Sequence, residues 1–479
     1  MSVSFIEPKL EIETGSHALV IGGSIAGLLT ARVLVNYFDK VTIVERDRFP
    51  DQPEARRGIP QANHIHVLLV RGLRILERLF PGIEGELIAA GASPIDWIGD
   101  WSMLGNWGWA PRFPSNLNSL TCSRYLIDWA LRRRLTAYDN LEFLENCQVT
   151  ELLTNDNKSK VTGVKLRFGG EGNRTIQPQL EEIASDLVVD ASGRRSSLPK
   201  WLESLGYEPP EETVINSFLG YASCWYQRKE AFEADWQGLA VVAKPPHNRR
   251  AGYIYPIEGN RWLVTLQGVG RDYPPNDEAG FLDFARSLRS PILYDTIKDA
   301  KPISPIYSYR GTENRLRHYE KLFRLPEGVV TLGDAVCAFN PIYGQGMTVA
   351  ANGALTLNEC LQQQFKANKD TLTGLGQRFQ KRLAQVNTTP WLMATGADLR
   401  WPTTEGRQPN EIDRLKHQYL DRVLRLGVKH PQVYRTFGEV AHMLKPPTAL
   451  FRPDILAQVL LQAIGESFSD RSLQERSAQ

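Results

Sequence analysis

The sequence feature that most constrains the fold is the segment HALVIGGSIAGLLTARVL, which begins at His17. Residues 17–21 are an apolar run that predicts a buried strand, Gly22 begins a tight turn, and apolar residues recur at helical spacing from Ile25. A second apolar run at residues 40–45 predicts the next parallel strand. This order predicts a βαβ unit, in which free backbone N–H groups at the helix N-terminus can bind a pyrophosphate.

The glycines and one acidic residue of this unit match what dinucleotide binding requires. Gly22 serves the turn, and Gly27 lets the helix pack closely on the strand. Glu45 lies 23 residues after Gly22, close to the ~20 expected for a carboxylate that accepts from ribose hydroxyls. Ser24 occupies the middle position of the GxGxxG pattern, where its backbone can still approach a phosphate. We therefore predict a nucleotide site here, and the alternative is an ordinary βαβ unit without nucleotide.

A second segment of nucleotide-binding type follows near residue 330. Residues 329–332 predict a strand that Gly333 and Asp334 end, and a helix is predicted to start near Gly346. Asp334 would lie at the carboxyl end of that strand, where it could accept from a ribityl hydroxyl. The glycine-rich loop 340–346 offers backbone amides to a flavin ring and a second pyrophosphate. Two such segments, each meeting a different part of one ligand, predict a large bipartite cofactor, and FAD fits this better than NAD.

These motifs, with a third segment at residues 186–201 (DLVVDASGRRSSLPKW), resemble the single-component flavoprotein monooxygenases of the para-hydroxybenzoate hydroxylase type. The third segment has Asp190-Ala-Ser-Gly193 instead of the commoner Ala-Asp-Gly, a departure that is similar to the squalene-epoxidase-like enzymes of polyether and terpenoid biosynthesis. The segment at 57–66 resembles the same subgroup. Residues 123–132 resemble the family helix whose arginine, here Arg124, meets FAD. The resemblance covers residues 17 to about 365.

The resemblance implies an α/β fold in which a Rossmann-like FAD-binding domain carries an inserted mixed β-sheet substrate domain and a C-terminal helical region. The FAD-binding domain would span residues 1–200 and return at 326–365, with the tryptophan-rich stretch 93–119 facing the substrate cavity. Residues 201–325 alternate as strands and would roof that cavity. Residues 366–479 are helical in their apolar spacing and contain no motif that we can place.

The resemblance also implies a set of cofactor-binding residues. They are Gly22, Gly23, Ser24, Ala26, Gly27, Glu45, Arg46, Arg124, Val149, Asp190, Gly193, Gly333, Asp334, Pro341, Gly344, Gln345, Gly346 and Met347. His64 and Gln61 are candidates for a catalytic position beside the flavin, and the alternative for His64 is a structural hydrogen bond. We predict no metal site, because no Cys or Asp follows His64 and His66 at a ligand spacing.

The implied activity is that of a monooxygenase with non-covalent FAD and NAD(P)H as the electron donor. It would insert one oxygen atom of O2, through a flavin C4a-hydroperoxide, into an apolar polyketide or terpenoid-like substrate of secondary metabolism, as an epoxidase or hydroxylase. The alternatives are a prenyl-chain reductase, a flavoprotein cyclase without net redox change, and a flavin-dependent halogenase. Residues 106–111 (NWGWAP) resemble the Trp-x-Trp-x-Ile-Pro motif of those halogenases but lack its isoleucine.

Composition excludes several other classes of protein. The 56 Lys and Arg against 54 Asp and Glu give a net charge of only +2, without the basic excess of a nucleic-acid binder. Five cysteines with no CxxC pair argue against a disulfide framework or zinc site and favour the reducing cytoplasm. Charged residues at 7–13 and the glycines and Arg32 within 18–35 argue against a secretory signal and a stable membrane span.

Overall fold

A computed structural model describes residues 16–169, 179–230, 232–367 and 371–463. The strands are β1 (His17–Ile21), β2 (Lys40–Val44), β3 (Ser93–Asp96), β4 (Trp101–Gly105), β5 (Gly108–Trp109), β6 (Asn118–Thr121), β7 (Leu141–Leu144), β8 (Cys147–Thr154), β9 (Val161–Phe168), β10 (Leu180–Ala184), β11 (Leu187–Asp190), β12 (Glu212–Ile215), β13 (Gly220–Gln227), β14 (Gly238–Val241), β15 (Arg250–Ile257), β16 (Arg261–Gly268), β17 (Tyr307–Tyr309), β18 (Asn314–Arg317), β19 (Val329–Thr331) and β20 (Cys337–Ala338). The α-helices are α1 (Ile25–Leu34), α2 (Val70–Leu79), α3 (Ile83–Ala89), α4 (Arg124–Leu135), α5 (Leu198–Ser204), α6 (Glu278–Arg286), α7 (Ile292–Ile297), α8 (Gly346–Ala367), α9 (Leu375–Asp398), α10 (Glu411–Gly427) and α11 (Pro431–Ala441), and residues 453–463 are also helical.

A parallel sheet in the order β19-β11-β1-β2-β7 is the centre of the fold. The apolar residues of β1 and β2 are buried, as expected for strands that are covered on both faces. Strand β1 lies between β2, which follows it in the chain, and β11, which comes much later. Ligands of open α/β sheets bind at such a switch point, beyond the carboxyl ends of the strands.

The turn from β1 into α1 is one of the closest approaches of backbone to backbone in the molecule. Gly22 has a φ of +104° and donates its N–H to the carbonyl of Val44 at 2.8 Å. A Cβ atom on Gly27 would lie 1.8 Å from the carbonyl oxygen of Gly22. Glycine at position 27 therefore sets how near α1 packs to the end of β1.

A mixed seven-stranded sheet in the order β17-β13-β16-β15-β14-β4-β5 forms the second layer. One face packs against α6 and α7 in an apolar core that includes Phe281 and Leu293. The other face presents Trp225 and Tyr255, which pack with Ile65 and other residues of the first layer. Because β4 and β5 belong to residues 93–119, that stretch extends this sheet at its edge.

The C-terminal part of the chain is helical as far as the structure describes it. Helix α9 packs against α8, β18 and β19, with Leu375, Phe379 and Leu383 buried as their spacing predicts. Helices α10 and α11 pack on each other and share a small apolar core with residues of the 453–463 helix. Among the described residues, no helix combines the length and apolar character needed to cross a bilayer.

The predicted α/β fold, with a Rossmann-like parallel sheet, a mixed sheet and C-terminal helices, is confirmed. The ends of the predicted regions at residues 1–15 and 464–479 lie outside the described residues.

Candidate functional site

A cavity of about 420 Å³ lies at the carboxyl end of the parallel sheet, within the range of about 300–1,000 Å³ that is typical of small-molecule sites. Its walls include Ile21 at the end of β1, Val44 at the end of β2 and Ala191 just after β11. Tyr221 of β13 and Tyr309 of β17 close it from the mixed sheet. The cavity therefore lies between the two main layers, at the switch point of the parallel sheet.

Most of the predicted site residues line this one cavity. Those that do are Gly22, Ser24, Ala26, Glu45, Arg46, Gln61, Arg124, Val149, Gly193, Asp334, Pro341, Gly344, Gln345, Gly346 and Met347. Those outside its lining are Gly23, Gly27, His64, Asp190 and Gly333. Residues from widely separated segments of the chain, between Gly22 and Met347, thus meet at one site.

The N-terminus of α1 opens into the cavity beside a buried arginine. Ser24 is the N-cap of α1, but its side chain makes no capping hydrogen bond. Its hydroxyl instead accepts from the Arg124 guanidinium at 2.8 Å, and the same guanidinium donates to the carboxylate of Asp128 at 2.7 Å. The first-turn N–H groups of a helix lack intrahelical partners and carry its positive dipole end. Together with the oriented Arg124, they form a site suited to an anion.

Arginines outnumber carboxylates among the residues that line the cavity. Two carboxylates, those of Glu45 and Asp334, belong to the lining. The arginines of the lining are Arg46, Arg57, Arg124, Arg194 and Arg195. Burial raises the pKa of Asp334, and Arg194 and Arg124 oppose that rise by favouring the carboxylate. Five guanidiniums against two carboxylates suit a ligand with a dianionic diphosphate.

The Glu45 carboxylate is held in place by the backbone and by an arginine. One of its oxygens accepts from the N–H of Gly23 at 2.8 Å, and the other accepts from the N–H of Asp47 at 3.1 Å. The guanidinium of Arg56 lies 3.4 Å away and donates to the carbonyl of Gly23. Contacts within the protein thus fix the Glu45 carboxylate at the end of β2.

The glycine-rich segments leave room and one buried acceptor for a planar group. A Cβ on Gly193 or Gly346 would have no neighbouring atom within 4 Å, so both backbones face open space. The side-chain oxygen of Gln345 is buried and has no hydrogen-bond partner among the described residues. A bound group that presents a donor to this oxygen would satisfy it, as buried polar atoms require.

Comparison with known proteins places the chain in a family. No family model matches the sequence. Protein Rv3254 of Mycobacterium tuberculosis (strain H37Rv) is 33% identical to it over 388 residues, which cover 80% of each chain. The chain belongs to the family of protein Rv3254.

Solved structures similar to this member of the Rv3254 family are flavoproteins by their names. A flavoprotein/dehydrogenase from Cytophaga hutchinsonii has a TM-score of 0.63 at 15% identity, covering 94% of this chain and 100% of its own. A triple mutant of the flavin-dependent brominase Bmp2 has a TM-score of 0.62 at 16% identity, covering 92% of this chain and 98% of its own. PqsL of Pseudomonas aeruginosa, named a probable FAD-dependent monooxygenase, has a TM-score of 0.57 at 16% identity, covering 80% of this chain and 96% of its own. These likenesses show a shared fold.

Asp190, which is predicted to bind the cofactor, makes its side-chain hydrogen bonds within the protein. Its side chain is fully buried and lies behind the cavity wall instead of facing it. One carboxylate oxygen accepts from the N–H of Ser192 at 3.0 Å, and the other accepts from the hydroxyl of Ser196. Asp190 therefore shapes the loop after β11, in which Gly193 and Arg194 line the cavity. Gly27 and Gly333 also lie outside the lining and make close packing contacts, since Gly27 abuts Gly22 and a Cβ on Gly333 would lie 2.8 Å from that of Ala26.

His64 also lies one layer behind the cavity, which favours the structural alternative. It is 2% exposed, its Nδ1 is 2.8 Å from the hydroxyl of Ser223, and its ring packs edge-on against Tyr221. Burial lowers the pKa of His64 to about 3. His66 does line the cavity, and burial lowers its pKa to about 4. Among the described residues, no group of three or more His, Cys, Asp or Glu could hold a metal ion.

The aromatic wall of the cavity differs from the predicted one. Tyr221 and Tyr309 face each other across β13 and β17, with ring centroids 5.5 Å apart. No residue of 93–119 lines this cavity, and the position of this stretch beside a substrate stays a prediction. Trp107 and Trp109 of the halogenase-like segment are 40% and 43% exposed on an edge hairpin. Alternation along β13 could have marked Tyr221, but no local signal marks its pairing with Tyr309.

The buried histidines predict a loss of stability in mild acid. Because His64 stays neutral in the folded protein until about pH 3, while an unfolded histidine protonates near pH 6.5, its contribution is complete above pH 6.5 and declines as the pH falls. At pH 5 the loss is about 2 kcal/mol for one such group. Between pH 7 and pH 5, the free energy of unfolding of the unsubstituted protein should fall by about 2 kcal/mol more than that of His64→Asn. Denaturant unfolding of the apoproteins measures both. The exposed His247→Asn serves as the control, and equal pH dependence in all three proteins would contradict the assignment.

Proposed function

We propose that this protein is an FAD-dependent monooxygenase. The observation that carries the proposal is the convergence on one cavity of the α1 N-terminus with Arg124, the oriented Glu45 and Asp334. Positive charge at the helix suits a diphosphate, and carboxylates on either side of it suit sugar and ribityl hydroxyls. The names of the similar folds, which include FAD-dependent halogenases such as the myxobacterial CndH and the monooxygenase PqsL, support the same cofactor.

Each part of FAD has residues of this chain that would hold it. The amides at the start of α1 and Arg124 would bind the diphosphate, Glu45 would accept from the adenosine ribose, and Asp334 would accept from the ribityl chain. The loop 341–346 and the start of α8 would flank the flavin ring, where the unsatisfied oxygen of Gln345 can accept a ring N–H. When bound, FAD supplies the activation of O2 and the transfer of one of its oxygen atoms to an organic substrate.

The chain's own side chains orient the substrate and exclude water. Tyr221 and Tyr309 cover the cavity from the mixed sheet, and burial raises the pKa of both hydroxyls, so that they stay protonated at neutral pH. His66 stays neutral there as well, because burial lowers its pKa to about 4. Tyr221, Tyr309 and His66 are therefore all uncharged at neutral pH, and uncharged side chains attract less water than charged ones. Oxygen transfer requires a site with little water, since water would divert the activated oxygen.

The substrate that we propose is an apolar, electron-rich compound of polyketide or terpenoid type, which would be epoxidised at an alkene or hydroxylated at an aromatic ring. The similarity of the Asp190–Gly193 segment to epoxidase-like enzymes supports this choice, as does the aromatic cover of Tyr221 and Tyr309. NAD(P)H is the proposed donor of the electrons that reduce FAD. Halogenation is the second candidate, since flavin-dependent halogenases are among the similar folds, whereas the segment that resembles a halogenase motif is exposed outside the cavity.

The first test of this proposal is FAD binding. We expect the apoprotein to bind FAD with 1:1 stoichiometry and non-covalently, so that denaturation releases all of the flavin into the filtrate. A fluorescence titration gives the dissociation constant, and the absorbance spectrum of the desalted complex gives the stoichiometry. A protein that remains colourless after reconstitution, with FAD fluorescence unchanged by excess protein, would contradict the proposal.

The second test distinguishes oxygenation from the other flavin reactions. The FAD-loaded protein is incubated with NAD(P)H, O2 and a panel of alkenes and phenols, and products are analysed by mass spectrometry with O2 consumption recorded in parallel. A gain of one oxygen atom with consumption of O2 supports a monooxygenase. A gain of two hydrogens without O2 indicates a reductase, an unchanged mass indicates a cyclase, and a halogen acquired from added bromide indicates a halogenase.

A further inference from the structure

A buried carboxylate that belongs to none of the sequence motifs lies next to the loop 341–346. Asp398 is the last residue of α9 and is 1% exposed. One of its oxygens accepts from the hydroxyl of Ser217 at 2.9 Å and from the side-chain amide of Asn340 at 2.7 Å, and the other accepts from the side-chain amide of Asn314 at 2.7 Å. Among the described residues, no lysine, arginine or histidine forms an ion pair with it. These three hydrogen-bond donors are all neutral.

The three donors come from three separate parts of the fold. Ser217 precedes β13, Asn314 begins β18, and Asn340 comes immediately before the loop 341–346 that lines the cavity. Asn314 also accepts from the backbone N–H of Asn340 at 2.8 Å. Asp398 and Asn314 thus hold both the backbone and the side chain of the residue from which the cavity loop departs.

Burial of this carboxylate does not serve stability at neutral pH. Desolvation raises the pKa of Asp398 to about 7, although all three hydrogen bonds favour the charged form. A carboxyl whose folded pKa is raised stabilises the protein at low pH, and that contribution is lost as the pH rises through 7. The charged or titratable groups that face this region are Tyr343 from the loop and Arg400 just beyond α9, which pairs with Asp421 at 2.8 Å. Polar groups retained at such a cost are expected at functional sites.

We propose that Asp398 is a positioning residue that fixes the loop from Asn340 to Gly346 in the conformation that receives the flavin ring. The inference rests on the proposed function for the identity of the ring, while the hydrogen-bond geometry stands without it. It also assigns a role in the cofactor site to the C-terminal helical region, in which the sequence shows no motif.

The experiment exploits the donor and acceptor pattern around the carboxylate. Asp398→Asn replaces one acceptor oxygen by an NH2 group, which must then face the NH2 of Asn340 or of Asn314. Asn340→Asp places two carboxylates together. The double variant Asp398→Asn/Asn340→Asp restores a complementary pair with the carboxylate on the loop side, where Ser217 can donate to it. Asp421→Asn, on the neighbouring surface pair, is the matched control.

We expect each single variant to bind FAD about tenfold or more weakly at pH 8, and the double variant to bind within about threefold of the unsubstituted protein. The control should stay within about twofold. Amide hydrogen exchange of residues 340–347 in the apoprotein should be faster in both single variants and slower again in the double variant. The difference in FAD affinity between Asp398→Asn and the unsubstituted protein should be smaller at pH 6 than at pH 8. At pH 6, protonation of Asp398 in the unsubstituted protein removes the same acceptor.

Two results would overturn the inference. One is that Asp398→Asn leaves both the FAD affinity and the amide exchange of the loop unchanged. The other is that the FAD affinity of the double variant falls by the sum of the two single effects, with no restoration. The exchange measurement needs no cofactor, so it keeps the test valid for any single variant that folds poorly with FAD. If the unsubstituted protein itself does not bind FAD, the proposed function fails, and the exchange result alone decides whether Asp398 holds the loop.

Discussion

We expect Asp334→Ala to weaken FAD binding about ten- to a hundredfold. Asp334 follows β19 and lines the cavity, where its carboxylate is half-buried and lies near Arg194 and Arg124. A hydrogen bond from a ribityl hydroxyl to a charged acceptor contributes roughly 1.5–3 kcal/mol, which corresponds to this range of affinity. Alanine removes the acceptor and leaves the two guanidiniums without a counter-charge from that side.

The measurement is a titration of each apoprotein with FAD by flavin fluorescence. Glu203→Ala is the control, because Glu203 is an exposed residue of α5 and removes the same formal charge. An affinity of Asp334→Ala equal to that of the control would show that Asp334 does not contact the cofactor. Thermal unfolding of the two apoproteins should differ little, since no described hydrogen bond depends on the Asp334 side chain.

The second large effect concerns backbone packing. We expect Gly27→Ala to destabilise the protein by about 3 kcal/mol, because the added methyl would lie 1.8 Å from the carbonyl oxygen of Gly22 and backbone atoms must move to relieve such overpacking. That movement pushes the N-terminus of α1 away from β1, so FAD affinity should fall together with stability.

Gly396→Ala provides a matched control for this change. Gly396 also lies within a helix, α9, but its Cβ would meet no atom within 4 Å. Replacing it should stabilise the protein by about 0.5–1 kcal/mol, since alanine favours helix more than glycine does. Denaturant unfolding of the apoproteins measures both effects. If the two alanine variants showed the same stability, the close approach of α1 to β1 would be contradicted.

The parts of the site that could be predicted are those encoded by short segments. The turn at Gly22, the helix that follows and Glu45 lie within one βαβ unit, so spacing along the chain sets their arrangement. The strand before Asp334 and the start of α8 at Gly346 are local in the same sense. In each case a run of fewer than thirty residues contains both the signal and the structure that it specifies.

The parts that sequence reasoning missed depend on contacts between distant segments. Arg56 reaches Glu45 and Gly23 across the turn, and its sequence neighbours show only a charged loop. Tyr221 becomes a cavity residue because β13 pairs with β17, and Asp398 matters because α9 packs beside the loop at Asn340. The surroundings of His64 are likewise set by a distant segment, since its ring lies against Ser223 and Tyr221 of β13.

The pairing of β11 with β19 has a consequence for how the protein is made. Val188 pairs with Val329, so the part of the cavity that Asp334 and residues 341–347 line comes from residues that a ribosome synthesises long after the βαβ unit. A nascent chain that ends before Val329 contains Glu45 and Arg124 but neither Asp334 nor the loop 341–346. Loop closure over this length is slow to achieve, although its entropic cost grows only slowly with the number of residues. If FAD binds as proposed, tight binding is therefore a late event, because it requires residues 329–346 to be in place beside the βαβ unit.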